Sequence, residues 1–549
     1  MRIRGYQIDL ARGGRNDVGY LSDVIRRLAG YGYNTVMLYL EYRFRYPSHP
    51  GLGMPDSLTP EQASELVKVA EAHDIDLVPQ YNCAGHNEGT CSLEAYNYLC
   101  GGHPPVDGRG PYESLNPLRD DVLPFLRDIY TDLARVFPGP WLHVGGDEIR
   151  QMHAFMPDSS EQERMKAAFD FLGQVFELVR ELGRTPMMWG DMMVKAPYTL
   201  QWVPKDVIIF DWRYSVPSKR DSLRRFRDAG YRVVMCPGTS TWHNYPAAIL
   251  PENGPSEGGL AQYPDGALAN TGLVREAREE KAEGFLLTTW ENNKGACHEC
   301  GWPVIAACAA VADGEDDEAD RVLSRYSADA WGVESGDFAD YLRLLQCRVL
   351  HIFPPGDGKG RHVFFRLRNG IFRSANVLPL LWREVNGPFR RDLRERARPV
   401  VQEAVELAGS LVARATRRQA EAELWHGYAR LGRTMLDMGD HMDSLAAGYH
   451  EAAISQYRSE VAFQAAVIRV VDSMRALQED LESFAAFGKR LIERHNQGHD
   501  ENWWVERAEK DVAERLTAFR NSVHQGYSLL AFERFISDVP GSPTRILWR

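Results

Sequence analysis

Cysteine is scarce, with eight residues in 549. That is too few for a disulfide scaffold, and it suits free thiols in a reducing compartment. The segment Cys297-His298-Glu299-Cys300 has the spacing of half a zinc site. No second such pair completes it, so the thiols read as structural and no metal is expected. No apolar run reaches the length of a membrane span, and Met1 leads into strand-like sequence without an apolar leader. The expectation is a cytoplasmic protein with no membrane partner. Positive charge is in deficit: 64 Lys and Arg stand against 76 Asp and Glu, a formal net charge of −12. A nucleic-acid partner, which needs a basic patch or stripe, is excluded on that ground. No glycine-rich phosphate loop follows a strand, and no cofactor is expected.

Hydrophobic residues make up 44% of the chain and charged residues 26%, ordinary shares for a globular protein. The length asks for more than one core. Short apolar runs recur at 3–9, 34–40, 76–81, 141–145, 186–189, 207–211, 232–236 and 285–290. Helical periodicity separates them, as in Leu21, Val24, Ile25 and Leu28 or Ala63, Leu66, Val67 and Ala70. Eight alternating units predict a (β/α)8 barrel over residues 1–315, closed by a helix over 302–312. After the acidic stretch 313–318 the spacing of Val401, Ala404, Val405, Ala408, Leu411 and Val412, then of Val467, Val471 and Met474, is helical. Residues 320–549 therefore read as a mainly helical C-terminal domain, with Trp503 and Trp504 as packing residues. This region is a candidate for homodimer contacts.

Barrel enzymes place their chemistry at the carboxyl ends of the strands. Those ends here are rich in polar and aromatic residues: Asp9 and Arg12, then Glu41 and Tyr42, then Asn82 and His86, through to Trp290 and Glu291. The fourth strand runs into His143-Val144-Gly145-Gly146-Asp147-Glu148, where two glycines permit a tight bend and close ligand approach before two adjacent carboxylates. A proton donor working near neutral pH with a charge-managing partner needs such a pair. His143 reads either as a barrel-interior residue or as an orienter of that pair. Trp189, Trp212, Trp242 and Trp290 fall at strand ends, where flat rings suit the apolar faces of a sugar. Arg4, His86, Asp191 and Glu291 are candidates to bond its hydroxyls.

Glycosidases usually employ two carboxylates on different elements, yet residues 233–245, on and after the seventh strand, hold no Asp or Glu. A second carboxylate beside the acid points instead to a nucleophile supplied by the substrate, through a 2-acetamido oxygen. On these residues the chain resembles glycoside hydrolase family 20, the β-N-acetylhexosaminidases. The segment 143–148 is similar to that family's His-x-Gly-Gly-Asp-Glu signature. Arg4 to Arg12 resembles its opening strand, Ala84-Gly85-His86 its third-strand Pro-Gly-His with alanine replacing proline, and Trp290-Glu291 its eighth-strand element. The resemblance covers roughly residues 1–312 and is nearest to the compact, hexosaminidase D-like type, which starts directly at the barrel.

The resemblance implies that Glu148 protonates the glycosidic oxygen and later activates water. It implies that Asp147 orients the acetamido group as an oxazolinium forms, with retained stereochemistry. The family's tyrosine for the acetamido oxygen has two candidates, Tyr245 first and Tyr214 second. Gly190, in Trp189-Gly190-Asp191, stands where relatives often carry an acid. The expected substrate is a terminal N-acetylglucosamine or N-acetylgalactosamine on a small molecule or oligosaccharide. Two other readings stay open: a retaining glycosidase with Glu148 as acid/base and Glu291 as nucleophile, and a carbohydrate-binding protein without catalysis.

Overall fold

The computed structural model describes residues 1–12, 15–100, 113–214, 221–239, 271–290, 298–315, 319–345, 391–455 and 457–495. Eight strands form a closed parallel barrel in chain order: β1 (Ile3–Asp9), β2 (Thr35–Tyr39), β3 (Asp76–Gln80), β4 (Trp141–His143), β5 (Thr185–Trp189), β6 (Ile208–Trp212), β7 (Arg232–Cys236) and β8 (Gly284–Leu287). The ring closes through β8 on β1, with Ile3 opposite Gly284 and Arg4 opposite Phe285. β2 is buried along its whole length, as a parallel strand covered on both faces must be.

Alternation divides each strand between two cores. Ile3, Met37, Val78, Trp141, Met187, Trp189, Ile208, Phe210, Val234, Cys236 and Leu286 fill the barrel interior. Tyr6, Ile8, Val36 and Leu38 face outward into a second, larger core beneath the helices. The helices over that core begin where the chemistry of their caps dictates. Asp17 accepts from the Tyr20 amide ahead of α1 (Val18–Gly30). Thr59 with Gln62 forms a reciprocal cap on α2 (Pro60–Glu71), and Ser160 with Glu163 does so for Glu161–Glu181. The closing helix is Trp302–Ala312, as its apolar run predicts.

Beyond it lie the helices Ala319–Trp331, Asp337–Leu345, Arg391–Arg414, Gln419–Ser455 and Glu460–His495. Val401, Ala404, Val405, Ala408 and Leu411 are buried in the third of these, and Val471 and Met474 in the last. The larger core runs from the barrel's outer layer into this region without a break. Trp503 and Trp504 lie outside the described residues.

Two expectations fail locally. β4 ends at His143 rather than at 145, because Gly145 and Gly146 take φ of +71° and +84° and leave the extended region. Cys91 and Cys100, expected as free thiols, form a disulfide that closes the loop after β3. Their separation of nine residues makes this a local tether, which a count of cysteines along the whole chain does not register.

Candidate active site

The carboxyl ends of the strands form one rim, and a cluster of ionisable side chains gathers there. Loops after β3 and β4 meet because glycines let them. A Cβ on Gly85 would stand 2.3 Å from the Asp147 carbonyl oxygen, and one on Gly145 would stand 2.2 Å from Asn82 Oδ1. Three non-glycine residues at the rim adopt left-handed backbone: Glu41 at φ +41°, His86 at +57° and Glu148 at +44°. Such conformations persist only where the surroundings hold them. At His86 the carbonyl is held by Tyr39 Oη at 2.5 Å and Asn82 Nδ2 at 3.2 Å. The turn they fix aims the imidazole at the acid pair.

Asp147 is 6% exposed, and its Oδ1 is buried with no hydrogen-bond partner among the described residues. Burial pushes its carboxyl up to about 7; the nearby His86 opposes this, and the charges of Asp191 and Glu148 add to it. Glu148 Oε2 lies 3.1 Å from His86 Nε2 and its Oε1 lies 2.5 Å from Arg150 Nη2. The bond from His86 holds Glu148 down to about 2, against burial and with help from Arg150. Burial alone would lower His86; Asp147, Glu148 and Glu88 overcome it and raise the imidazole to about 10. His86 is therefore a cation at neutral pH, donating through Nδ1 to Glu88 Oε1 at 2.9 Å.

Arg12 completes the cluster. Its guanidinium donates to Asp9 Oδ2 at 3.0 Å and pairs with Glu88 Oε1 at 3.5 Å, and it lies 3.1 Å from the protonated His86 Nδ1, so that the two cations share Glu88. It also lies over the rings of Tyr39 and Trp290, at 5.3 and 5.5 Å from their centroids. Asp191 is brought beneath the acid, where Oδ2 accepts from the Glu148 amide at 3.4 Å and from Lys195 Nζ at 3.0 Å. Burial raises its carboxyl, with Lys195 opposing.

Among the aromatics, Trp290 Nε1 donates to Tyr214 Oη at 2.7 Å, and Tyr214 stacks on Trp212 at 5.5 Å and 16°. Burial first, with the charge of Asp147 adding to it, raises the Tyr214 phenol well above its ordinary range, so this hydroxyl stays protonated near the acid pair. Of the two tyrosine candidates, Tyr214 lies beside the pair, and Tyr245 lies outside the described residues, as do Trp242 and Glu291.

One expected site residue sits elsewhere. Arg4 faces outward by strand parity and binds Asp313 Oδ1 at 2.7 Å and the Ala309 carbonyl at 3.3 Å, away from the rim. The arginine that β1 delivers to the rim is Arg12, three residues beyond the strand-end Asp9 that anchors it. Trp189 is 0% exposed. It packs among the barrel-interior residues against His143 at 4.5 Å and against Trp290 at 5.6 Å. His143 is also interior: burial lowers it to about 3, leaving it neutral, and its Nδ1 accepts from the Gly145 amide at 3.1 Å. Glu88 and Arg150 carry no role in the sequence reading. Their signal is proximity, each two residues beyond a site residue and of opposite charge to it. No cluster of three or more metal-ligating side chains occurs among the described residues.

A closed parallel barrel with an adjacent carboxylate pair after its fourth strand, an imidazolium on the acid and aromatic rings at the rim defines a barrel glycoside hydrolase. The chain belongs to glycosyl hydrolase family 20, whose catalytic domain matches residues 4–303. It is similar to the beta-N-acetylhexosaminidase of Cellulomonas fimi, 32% identical over 208 residues that cover 34% of this chain and 39% of that protein. It is also similar to Hexosaminidase D of Bos taurus, 25% identical over 209 residues, 36% of this chain and 57% of that one. The chain spans about half the length of these curated relatives. Among solved structures, Streptomyces plicatus N-acetyl-beta-hexosaminidase in complex with Thio-NAglucal aligns with 60% of this chain and 67% of that one. The identity is 20% and the TM-score 0.45.

Proposed function

We propose that this protein is an exo-acting β-N-acetylhexosaminidase that removes terminal N-acetylglucosamine or N-acetylgalactosamine with retention, the substrate's own acetamido oxygen being the nucleophile. One observation supports this reading above the others: Asp147 Oδ1, buried beside the acid without a hydrogen-bond partner among the described residues. A buried carboxylate oxygen with no donor is costly, and an acetamide N–H is the donor that the family's chemistry brings there.

Between about pH 2 and pH 7 the Asp147–Glu148 pair holds one proton, resting on Asp147. An N–H bonded to Asp147 favours its ionised form, and the proton then falls to Glu148. Glu148 delivers it to the glycosidic oxygen while the acetamido oxygen attacks the anomeric carbon. Asp147, now ionised, balances the positive charge on the oxazolinium nitrogen. Water activated by Glu148 opens the ring and restores the starting state. Tyr214 and the rings of Trp212 and Trp290 line the sugar's position, and Arg12 offers its guanidinium to hydroxyls.

The test is hydrolysis of paired p-nitrophenyl glycosides with and without the 2-acetamido group. Glu148→Gln should lose nearly all turnover of the N-acetyl substrate. Asp147→Asn should lose far more on the N-acetyl substrate than on the plain glucoside, and equal losses on both would overturn participation by the acetamido group. A cytoplasmic location, against which the Cys91–Cys100 disulfide weighs, and homodimer formation belong to the same proposal. Exposed Ile454, Tyr457 and Val461 at the end of the helical hairpin support the second, which light scattering reads directly. Alkylation of Cys91 and Cys100 in protein taken from the expressing cell reads the first.

A further inference from the structure

The acid pair and its neighbours form a gradient from inside to outside. The side chain of Asp147 is 9% exposed and that of Glu148 19%, whereas that of Arg150, two residues on, is 65% exposed while its Nη2 holds Glu148 Oε1 at 2.5 Å. A general acid lies beside the bond it cleaves, between the sugar and its leaving group. With the acetamide on Asp147 at the inner end, the outer oxygen of Glu148 faces the leaving group, and Arg150 stands on that oxygen. A guanidinium offers five N–H donors, and the bond to Glu148 leaves donors that open to solvent at the mouth of the site.

We propose that Arg150 is a specificity residue of the leaving-group subsite, selecting leaving groups that carry an anion such as a carboxylate or sulfate. This rests on the hexosaminidase reading and adds the chemistry of the second half of the substrate. The fork of the guanidinium matches a carboxylate or sulfate two bonds at a time. When it turns to such a group it releases Glu148 Oε1, the oxygen that must carry the proton to the glycosidic bond. An anionic leaving group thus binds and frees the acid in one movement. A neutral one leaves Arg150 on Glu148. The other carboxylates whose charge reaches Arg150 are Glu113 and Asp191. Glu113 is exposed, and an incoming anion competes with it for the same cation.

The test uses non-hydrolysable 1-thio-N-acetylglucosaminides carrying phenyl or 4-carboxyphenyl groups, with Kd measured by calorimetry on the full chain. The unmutated protein should bind the carboxyphenyl compound on the order of fivefold more tightly than the phenyl one, the size of a partly exposed charge pair. Arg150→Gln should flatten that ratio, and Arg150→Lys, which keeps the charge and loses the fork, should restore part of it. A ratio unchanged in Arg150→Gln, with the phenyl compound still bound, overturns the role of Arg150 and leaves the hexosaminidase reading intact. Failure of the unmutated protein to bind either compound overturns both.

Discussion

At the scale of single residues, the site is a problem of where one proton rests. With His86 cationic, the Asp147–Glu148 pair carries that proton from about pH 2 to about pH 7. As pH rises through about 7 the pair loses it and no acid remains, so kcat/KM on an aryl N-acetylglucosaminide should fall on the alkaline side with an apparent pKa near 7. In Asp147→Asn the proton can rest only on Glu148, whose carboxyl His86 and Arg150 hold low. The alkaline limb should then move down by at least about one pH unit. A limb that stays in place would show that it belongs to another group.

Arg12→Lys keeps a charge but not the fork that reaches Asp9 and Glu88 together. It should lower kcat/KM on the order of tenfold to a hundredfold while the thermal midpoint stays near its starting value. The acid pair is legible in the sequence because two glycines and two carboxylates at a strand end have few other uses. Arg12 was harder to assign than Arg4 because both lie on or just past one strand. Arg4 lies inside β1 on the parity opposite to the interior Ile3 and so faces outward, whereas Arg12 lies past the strand end at Asp9, in a turn that strand parity does not govern.

Among elements, the decisive contact is between the loops after β3 and β4. Gly85→Ala would drive a Cβ against the Asp147 carbonyl oxygen, displacing backbone that carries the catalytic pair. It should cost about 1–3 kcal/mol of stability and most of the activity. Gly173→Ala is the contrast: a Cβ there meets nothing within 4 Å inside the helix Glu161–Glu181. Denaturant midpoints should show it neutral or stabilising by up to about 1 kcal/mol.

The strands themselves were readable to within a few residues because parallel barrel strands are short, mainly apolar runs. Their ends were less so. β8 stops at Leu287 rather than at 290, and Thr288 retains only a bridge to Gly238. At strand ends, tertiary contacts rather than local propensity decide where pairing stops. The loop tether between Cys91 and Cys100 was invisible for a related reason, since pairing depends on how the loop folds back.

At the scale of the molecule, barrel and helices meet around a buried charge. Arg27 of α1 bonds Glu421 of the helix Gln419–Ser455 through both oxygens, at 2.8 and 3.3 Å, and lies 3.9 Å from the centroid of the Trp302 ring. Tyr326 donates its hydroxyl to the same carboxylate. With side chains 9% and 4% exposed, removing one partner strands the other in a dry environment. Glu421→Ala should therefore lower stability by about 3–5 kcal/mol, seen as a reduced unfolding midpoint, while activity at low temperature persists.

Periodicity announced helices over 401–412 and 467–484, but the partner of a helix face is not written in its spacing. The meeting of residue 27 with residue 421 lay beyond sequence reasoning. That meeting also limits how the protein can change. A barrel separated from Glu421 would keep a cation facing an indole with its counter-ion gone. Substitutions that rearrange the helices are thus filtered by an arginine on the first helix of the barrel, and the two parts should be inherited as a single unit.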